Sequence, residues 1–403
     1  MNNDVDPVQP ETRALFAPLT IRGTTLQHRA GVSPMCMYAA ADGMVDDFHL
    51  AHLGRFALGG AGLVIVEATA IDPRGRISHH DLGLWSDAQI DGMRRIAGFL
   101  STHGAVPGIQ LAHAGRRASV REPWFAGAPL DESDAAAGRA PWPVIGPSAI
   151  PAGPGWQVPS ALDAHEIAES IGQWVAAAER AVAAGFRLIE LHGAHGYLLH
   201  SFLSPVSNTR SDGYGGDAER RMHYPLEVIR AVRSALPESV ILSYRVSAVD
   251  GVSEGGLTLD DVAEFARHAV AAGVDIIDTS SGGISVDRST DTRVRRGFSF
   301  HADFSRQLKA RTGAIVACVG LIVDPEQASR LIEAGDADIV LLGREMLDNP
   351  NWVHHARRSH AADEFDHWDP RFGSALGPRL RTLRRLAETG ETPLTRFAQH
   401  AGQ

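Results

Sequence analysis

Two imidazoles and a phenol stand close together in the run His192-Gly193-Ala194-His195-Gly196-Tyr197. As a metal site the pair lacks the nearby carboxylate or third protein ligand that a catalytic zinc ion requires, so no metal is expected. As electrophilic machinery the cluster is better supplied. Two imidazole N–H groups can hold a carbonyl or nitro oxygen while a phenol, protonated at neutral pH with an ordinary pKa of about 10, delivers a proton. Polar loop residues satisfied by backbone are the plain alternative. Other chemistry-bearing residues recur in short runs: Ser33-Pro34-Met35-Cys36-Met37-Tyr38, Glu67-Ala68-Thr69, Gln110 followed by His113-Ala114-Gly115-Arg116, and Arg245. Gly320 and the pair Gly343-Arg344 each close an apolar run and lead toward a helix, an arrangement that can cradle one phosphate with backbone N–H groups. Turn geometry alone is the alternative for these glycines. The single lysine, Lys309, lies in the polar helical stretch Asp303–Arg311, so Schiff-base chemistry has no good nucleophile.

Residues so far apart in the chain need a frame that brings them together. Apolar runs followed by turn residues and then by helical periodicity give eight units, the pattern of a parallel sheet with crossover helices and the number of a (β/α)8 TIM barrel. The expected strands are Ala30–Met35, Leu63–Val66, Val106–Leu111, Arg187–Leu191, Val240–Arg245, Asp275–Asp278, Ile315–Val319 and Asp338–Leu342. Between them the spacing predicts helices over Asp46–Leu58, Asp87–His103, Asp163–Ala184, Ala218–Ala235, Leu259–Ala272 and Pro325–Ala334. Ala-Gly pairs at Gly185, Gly273 and Gly335 are helix C-caps, and Thr258 and Asp324 are N-caps. In such a barrel the chemistry gathers at the C-terminal ends of the strands, which is where the runs above fall. The expected division is a flexible N-terminus over residues 1–14, a TIM barrel over 15–355 and a C-terminal extension over 356–403. A stretch Leu15–Arg29 with a turn at Gly23, and a Pro/Gly-rich excursion Trp124–Ser160 after strand three, lie outside the repeat. An excursion that long suggests a lid. The tail carries a helical pattern over Arg379–Glu388.

Composition narrows the function classes. The chain of 403 residues is 44% hydrophobic and 21% charged, ordinary for an enzyme with a large core. A net charge of −10, without a basic stretch interleaved with aromatics before the Arg-rich tail, argues against nucleic acid. No apolar run approaches the roughly 20 residues that span a bilayer, and the start is polar and acidic, so no membrane and a cytoplasmic location are expected. Two cysteines, Cys36 and Cys318, are too few for a disulfide framework or an iron–sulfur cluster.

The runs Ser33–Tyr38, Gln110–Arg116 and His192–Tyr197, the stretch from Ser204-Pro205 through Asn208, Arg210, Asp212 and Tyr214-Gly215-Gly216, and Arg245-Val246-Ser247 together resemble the Old Yellow Enzyme family, in order, over roughly residues 15–350. Cysteine at position 36 is similar to the bacterial, YqjM-type branch. The resemblance implies noncovalent FMN, with Pro34, Met35, Cys36, Ala68 and Gln110 around the flavin ring, Arg245 near its N1–C2 carbonyl edge, and Gly320, Gly343 and Arg344 at the phosphate. It implies that Cys36 tunes the flavin, that Tyr38 lines the substrate face, that His192 and His195 bind the activating oxygen, and that Tyr197 gives the proton. The implied activity is ene-reduction of α,β-unsaturated carbonyl or nitro compounds, small electron-poor alkenes, by a ping-pong cycle in which NADPH or NADH is a transient hydride donor. A homodimer or homotetramer is also implied. Members of that branch end soon after an aromatic–arginine stretch that reaches a neighbouring subunit. Here about 30 residues follow the nearest equivalent, Trp368 to Phe372, which puts a reaching role for Arg371 in doubt. The alternatives are a flavin barrel for another acceptor, a flavin-binding barrel without catalysis, and a metal-dependent barrel hydrolase using His192, His195 and one of His49, His52, His79 or His80.

Overall fold

The computed structural model describes residues 13–286, 294–360 and 365–395. Eight parallel strands close into a barrel: Ala30–Val32, Leu63–Ala70, Val106–Ala112, Leu188–Gly193, Ile241–Ser247, Ile276–Ser280, Ile315–Cys318 and Ile339–Leu342, numbered one to eight below. Strand eight pairs with strand one through Val340 and Ala30, which completes the ring. Helices on the outside make both strand faces buried, and this is why the strands read as apolar runs without alternation.

The alternation is there in the packing. Val64, Val66, Ile109, Leu111, Ile189 and Leu191 face outward into the helix layer. Leu63, Ile65, Leu188, Ile241, Ile276 and Leu341 face inward and fill the lower barrel. A hairpin of Leu19–Ile21 and Thr24–Leu26, turning at Arg22 and Gly23 with positive φ at both, presses Ile21 and Leu26 into the same inner cluster. Arg22 anchors it at 2.7 Å to Asp275, just below strand six, so the hairpin floors the N-terminal end.

All eight expected strands form, with shifted ends. Strand one stops at Val32 rather than Met35, because Pro34 has no N–H to extend the ladder. Strands four, five and six run two residues further than expected, to Gly193, Ser247 and Ser280. The helix expected from Asp87 opens as a 3-10 turn over Asp87–Gln89 and becomes α-helical over Ile90–Thr102. Gly185, Gly273 and Gly335 all take positive φ, and Thr258 and Asp324 cap helices with their side chains. The excursion contains a short helix, Glu132–Ala136, and a small parallel pair of Ile145–Gly146 with Ser160–Ala161. Asn208 and Arg210 tie down the chain after strand four through Phe202, Tyr214, Pro147 and Leu162 carbonyls, a structural use. The tail helix spans Pro370–Glu388, earlier than the expected start at Arg379, and none of its side chains is buried. The expected N-terminus, residues 1–14, falls outside the described residues except for its last two.

Candidate active site

Climbing the inner wall by two residues at a time changes its chemistry. The apolar layer of Leu188, Ile241 and Ile276 gives way to Glu190, Ser243 and Asp278, and then to His192, Arg245 and Ser280. In the middle layer Gln110 donates to Glu190 at 2.8 Å, and Ser243 donates to its other oxygen at 2.8 Å. Arg245 stands 3.2 Å from Asp278, a charge pairing without hydrogen-bond alignment, so the Arg245 Nε–H has no acceptor among the described residues. Burial raises both acids, Glu190 to about 8, with Asp278 as the next cause and Arg245 opposing.

The upper layer assembles the residues read from the sequence. The rings of His192 and His195 lie 5.1 Å apart and His192 lies 4.9 Å from Tyr197. His195 Nδ1 faces His192 Nε2 at 3.4 Å, and its Nε2 meets Ser280 Oγ at 2.7 Å. Burial first, then neighbouring positive groups including Arg245, hold both histidines well below their usual pKa. Neutral imidazoles carry one N–H each, and His192 Nδ1 is a buried polar atom without a partner among the described residues. The Tyr197 hydroxyl is held above its usual pKa, chiefly by burial and then by Cys36, with Arg117 opposing. Arg117 sits 5.9 Å over the Tyr197 ring and donates to the carbonyls of His195 at 2.7 Å and Gly283 at 2.5 Å.

Opposite, Cys36, Tyr38 and Tyr197 border one small apolar cluster. Tyr38 has φ +53, and the neighbouring Met37 N–H donates to buried Glu67 at 2.8 Å. Burial raises Glu67 to about 8 and, with Glu67 as the next cause, keeps the Cys36 thiol protonated. Ala68 is buried beside Glu67 on strand two. A cavity of about 810 Å3 opens between Tyr38, Tyr197, Arg117 and the excursion residues Ala126 to Pro129 and Trp156. A second, of about 460 Å3, joins Tyr197 and His195 to His301 and Arg344. A third, of about 210 Å3, is lined by Arg245, His301, Gly320, Gly343 and Arg344. Gly343 caps the start of the short helix Arg344–Asp348, and Arg344 lines this cavity.

Residues 14–363 match the family described as NADH:flavin oxidoreductase / NADH oxidase. The chain belongs to this family, the Old Yellow Enzymes. An NADPH dehydrogenase of Geobacillus sp. (strain WCH70) is 40% identical over 346 residues, 85% of this chain and 94% of that protein. An NADPH dehydrogenase of Listeria innocua is 40% identical over 344 residues, again 85% and 94%. Among solved structures, morphinone reductase superposes with a TM-score of 0.70 at 25% identity, over 87% of this chain and 91% of its own. Morphinone reductase in complex with tetrahydroNAD gives 0.68 at 26% identity, over 87% and 92%.

This Old Yellow Enzyme is therefore an NAD(P)H-dependent flavin oxidoreductase with FMN as cofactor. Its upper wall fits that group: a basic dent with two glycines suits a phosphate, and the unaligned Arg245 Nε–H and the orphaned His192 Nδ1 are polar atoms short of partners. Sequence reading missed Ser247, which accepts His195 N–H at 3.0 Å, along with Ser280, Glu190 and Arg117. Inward parity on strands four to six would have found Glu190, Ser247 and Ser280. Of the histidines offered as a third metal ligand, His49 pairs with Asp46 and His80 with Glu122, and the described residues contain no cluster suited to a metal ion. No helix among them is long and apolar enough to cross a membrane. Arg371 is held by Asp369 at 2.7 Å and lines none of the three cavities.

Proposed function

We propose that this enzyme reduces the C=C bond of α,β-unsaturated carbonyl or nitro compounds. Bound FMN would supply hydride-transfer chemistry between NAD(P)H and the carbon β to the activating group. Pro34, Met35, Cys36, Ala68 and Gln110 would border its ring, Arg245 would place a fixed positive charge at its edge, and Gly320, Gly343 and Arg344 would hold its phosphate. The observation that carries the reading is the neutral pair His192 and His195 beside a protonated Tyr197. Neutral imidazoles donate to a carbonyl or nitro oxygen without requiring an anion, and a phenol kept protonated holds the proton that the α-carbon needs. Tyr38 lines the other side of the acceptor. The excursion over 124–160 acts as the lid, a role supported by its share in the wall of the 810 Å3 cavity.

The test is an anaerobic experiment in two stages. NADPH should bleach the flavin absorbance, and cyclohexenone should restore it. In Tyr197→Phe the bleaching should keep its rate while the recovery slows by about a hundredfold or more, the scale of a general acid. Equal slowing of both stages would refute the proton-donor role.

A further inference from the structure

We propose that His200, held by Asp250, is a positioning residue that sets where Tyr197 and His195 stand. The proposal rests on the reading of Tyr197 as proton donor. His195 has φ +60 and Gly196 φ +75, so two successive left-handed residues deliver the chain to Tyr197. For histidine that conformation is strained and persists where its surroundings enforce it. The Gly196 N–H points into the protein and needs an acceptor there. His200, in the short helix Leu198–Leu203, supplies it, with Nδ1 2.8 Å from the Gly196 nitrogen.

An imidazole that accepts at Nδ1 carries its proton on Nε2, and that nitrogen lies 2.7 Å from Asp250 Oδ1. The other Asp250 oxygen accepts from Ser204 at 2.6 Å and from the Leu257 N–H at 2.8 Å. Burial by itself would raise the Asp250 carboxyl, but the His200 and Ser204 hydrogen bonds outweigh it and hold it below its usual range. The side chains of His200 and Asp250 are 1% and 0% exposed, and neither borders the three cavities, so the pair works on the site through the backbone. Asp250 lies just beyond strand five. The dyad therefore fastens the turn after strand four to the chain beyond strand five, in addition to the Ser247 contact to His195.

Two substitutions separate positioning from packing. His200→Asn puts an amide oxygen where Nδ1 stands and keeps an acceptor for Gly196. His200→Gln reaches toward Nε2, keeping a donor for Asp250 but leaving Gly196 without an acceptor. In the FMN-loaded enzyme, His200→Gln should slow alkene reduction by about tenfold to a hundredfold, as for a misplaced reacting group, with flavin reduction by NADPH within about twofold of the parent. It should also weaken binding of a simple phenol, followed by its perturbation of the oxidised flavin spectrum. His200→Asn should lie within about threefold of the parent in all three measurements. Equal loss in the two variants, or loss shared by both half-reactions, would overturn the proposal. If His200→Gln does not fold, Asp250→Asn carries the same test, since it removes the carboxylate that fixes the tautomer, and an unchanged alkene half-reaction would then count against the dyad. Tyr197→Phe, run in parallel, keeps the readings apart: if it leaves alkene reduction unchanged the proton donor is wrong, while phenol binding still judges the turn.

Discussion

Two tyrosines face the same cavity from left-handed turns, and the turns are built differently. Tyr38 follows strand one, where a single buried carboxyl, Glu67, accepts the Met37 N–H, and its ring leans edge-on at 5.9 Å against Trp124, which is 63% exposed. Tyr197 follows strand four, where Ser247, Arg117 and His200 grip the backbone from three directions. The backbone of Tyr197, the proposed proton donor, thus stands on a frame with redundant support. Tyr38 stands on one titratable contact and an exposed aromatic. Tolerance to change should differ between the two sides accordingly.

The sharpest way to break this contrast is Gly196→Ala. An added methyl would stand 2.3 Å from the Gly283 carbonyl oxygen at a φ of +75, so backbone must move. A loss of about 2 to 4 kcal/mol in urea unfolding is expected, together with loss of alkene reduction. A folded variant with parental rates would show that the strand-four turn is not held as argued.

Glu67 gives an intermediate effect with a definite sign. Its carboxyl is raised from 4.5 to about 8 by burial. Between these values the unfolded chain has lost the proton while the folded chain keeps it, so the folded state is penalised increasingly as pH rises from 4.5 through about 8. Glu67→Gln should remove this share of the alkaline loss, on the order of a few kcal/mol, and leave stability below pH 4.5 nearly unchanged. Denaturant melts of parent and variant across that range check it. Parallel pH curves would count against the assignment.

The smallest effect should come from Trp124→Ala. Losing one edge-on aromatic contact is worth about 1 kcal/mol, so KM for N-phenylmaleimide should rise by about two- to fivefold while that for cyclohexenone holds. A rise for both acceptors would mean that Trp124 shapes the whole site rather than its rim.

The frame of the site was legible because buried parallel strands announce themselves as apolar runs, and glycines such as Gly185 and Gly273 mark where helices stop. His192, His195 and Tyr197 were legible because one turn carries all three. Their supports were not, since Ser247 and Ser280 come from strands 52 and 85 residues away along the chain, and local pattern says nothing about which strands become neighbours. Strand six was read as ending at Asp278, which hid Ser280 on the same inward face. In the tail the helical pattern was expected from Arg379, yet the helix starts at Pro370 and runs through Gly373, Gly377 and Pro378. The excursion has few apolar repeats, so its short elements depend on contacts with the barrel mouth, such as those of Arg121 with Asp131 and Asp134.

The hairpin beneath the barrel bears on traffic. With Ile21 and Leu26 sealing one end, the doorway seen among the described residues is the rim where Tyr38 and Tyr197 stand. On the proposed reading a bulky nicotinamide and an alkene would both need the same flavin surface, and they could not pass one another there. The first visitor has to back out along the way it came before the second can be admitted, and congestion at that doorway, rather than any shortage of reducing power, would then set the ceiling when either visitor is in excess.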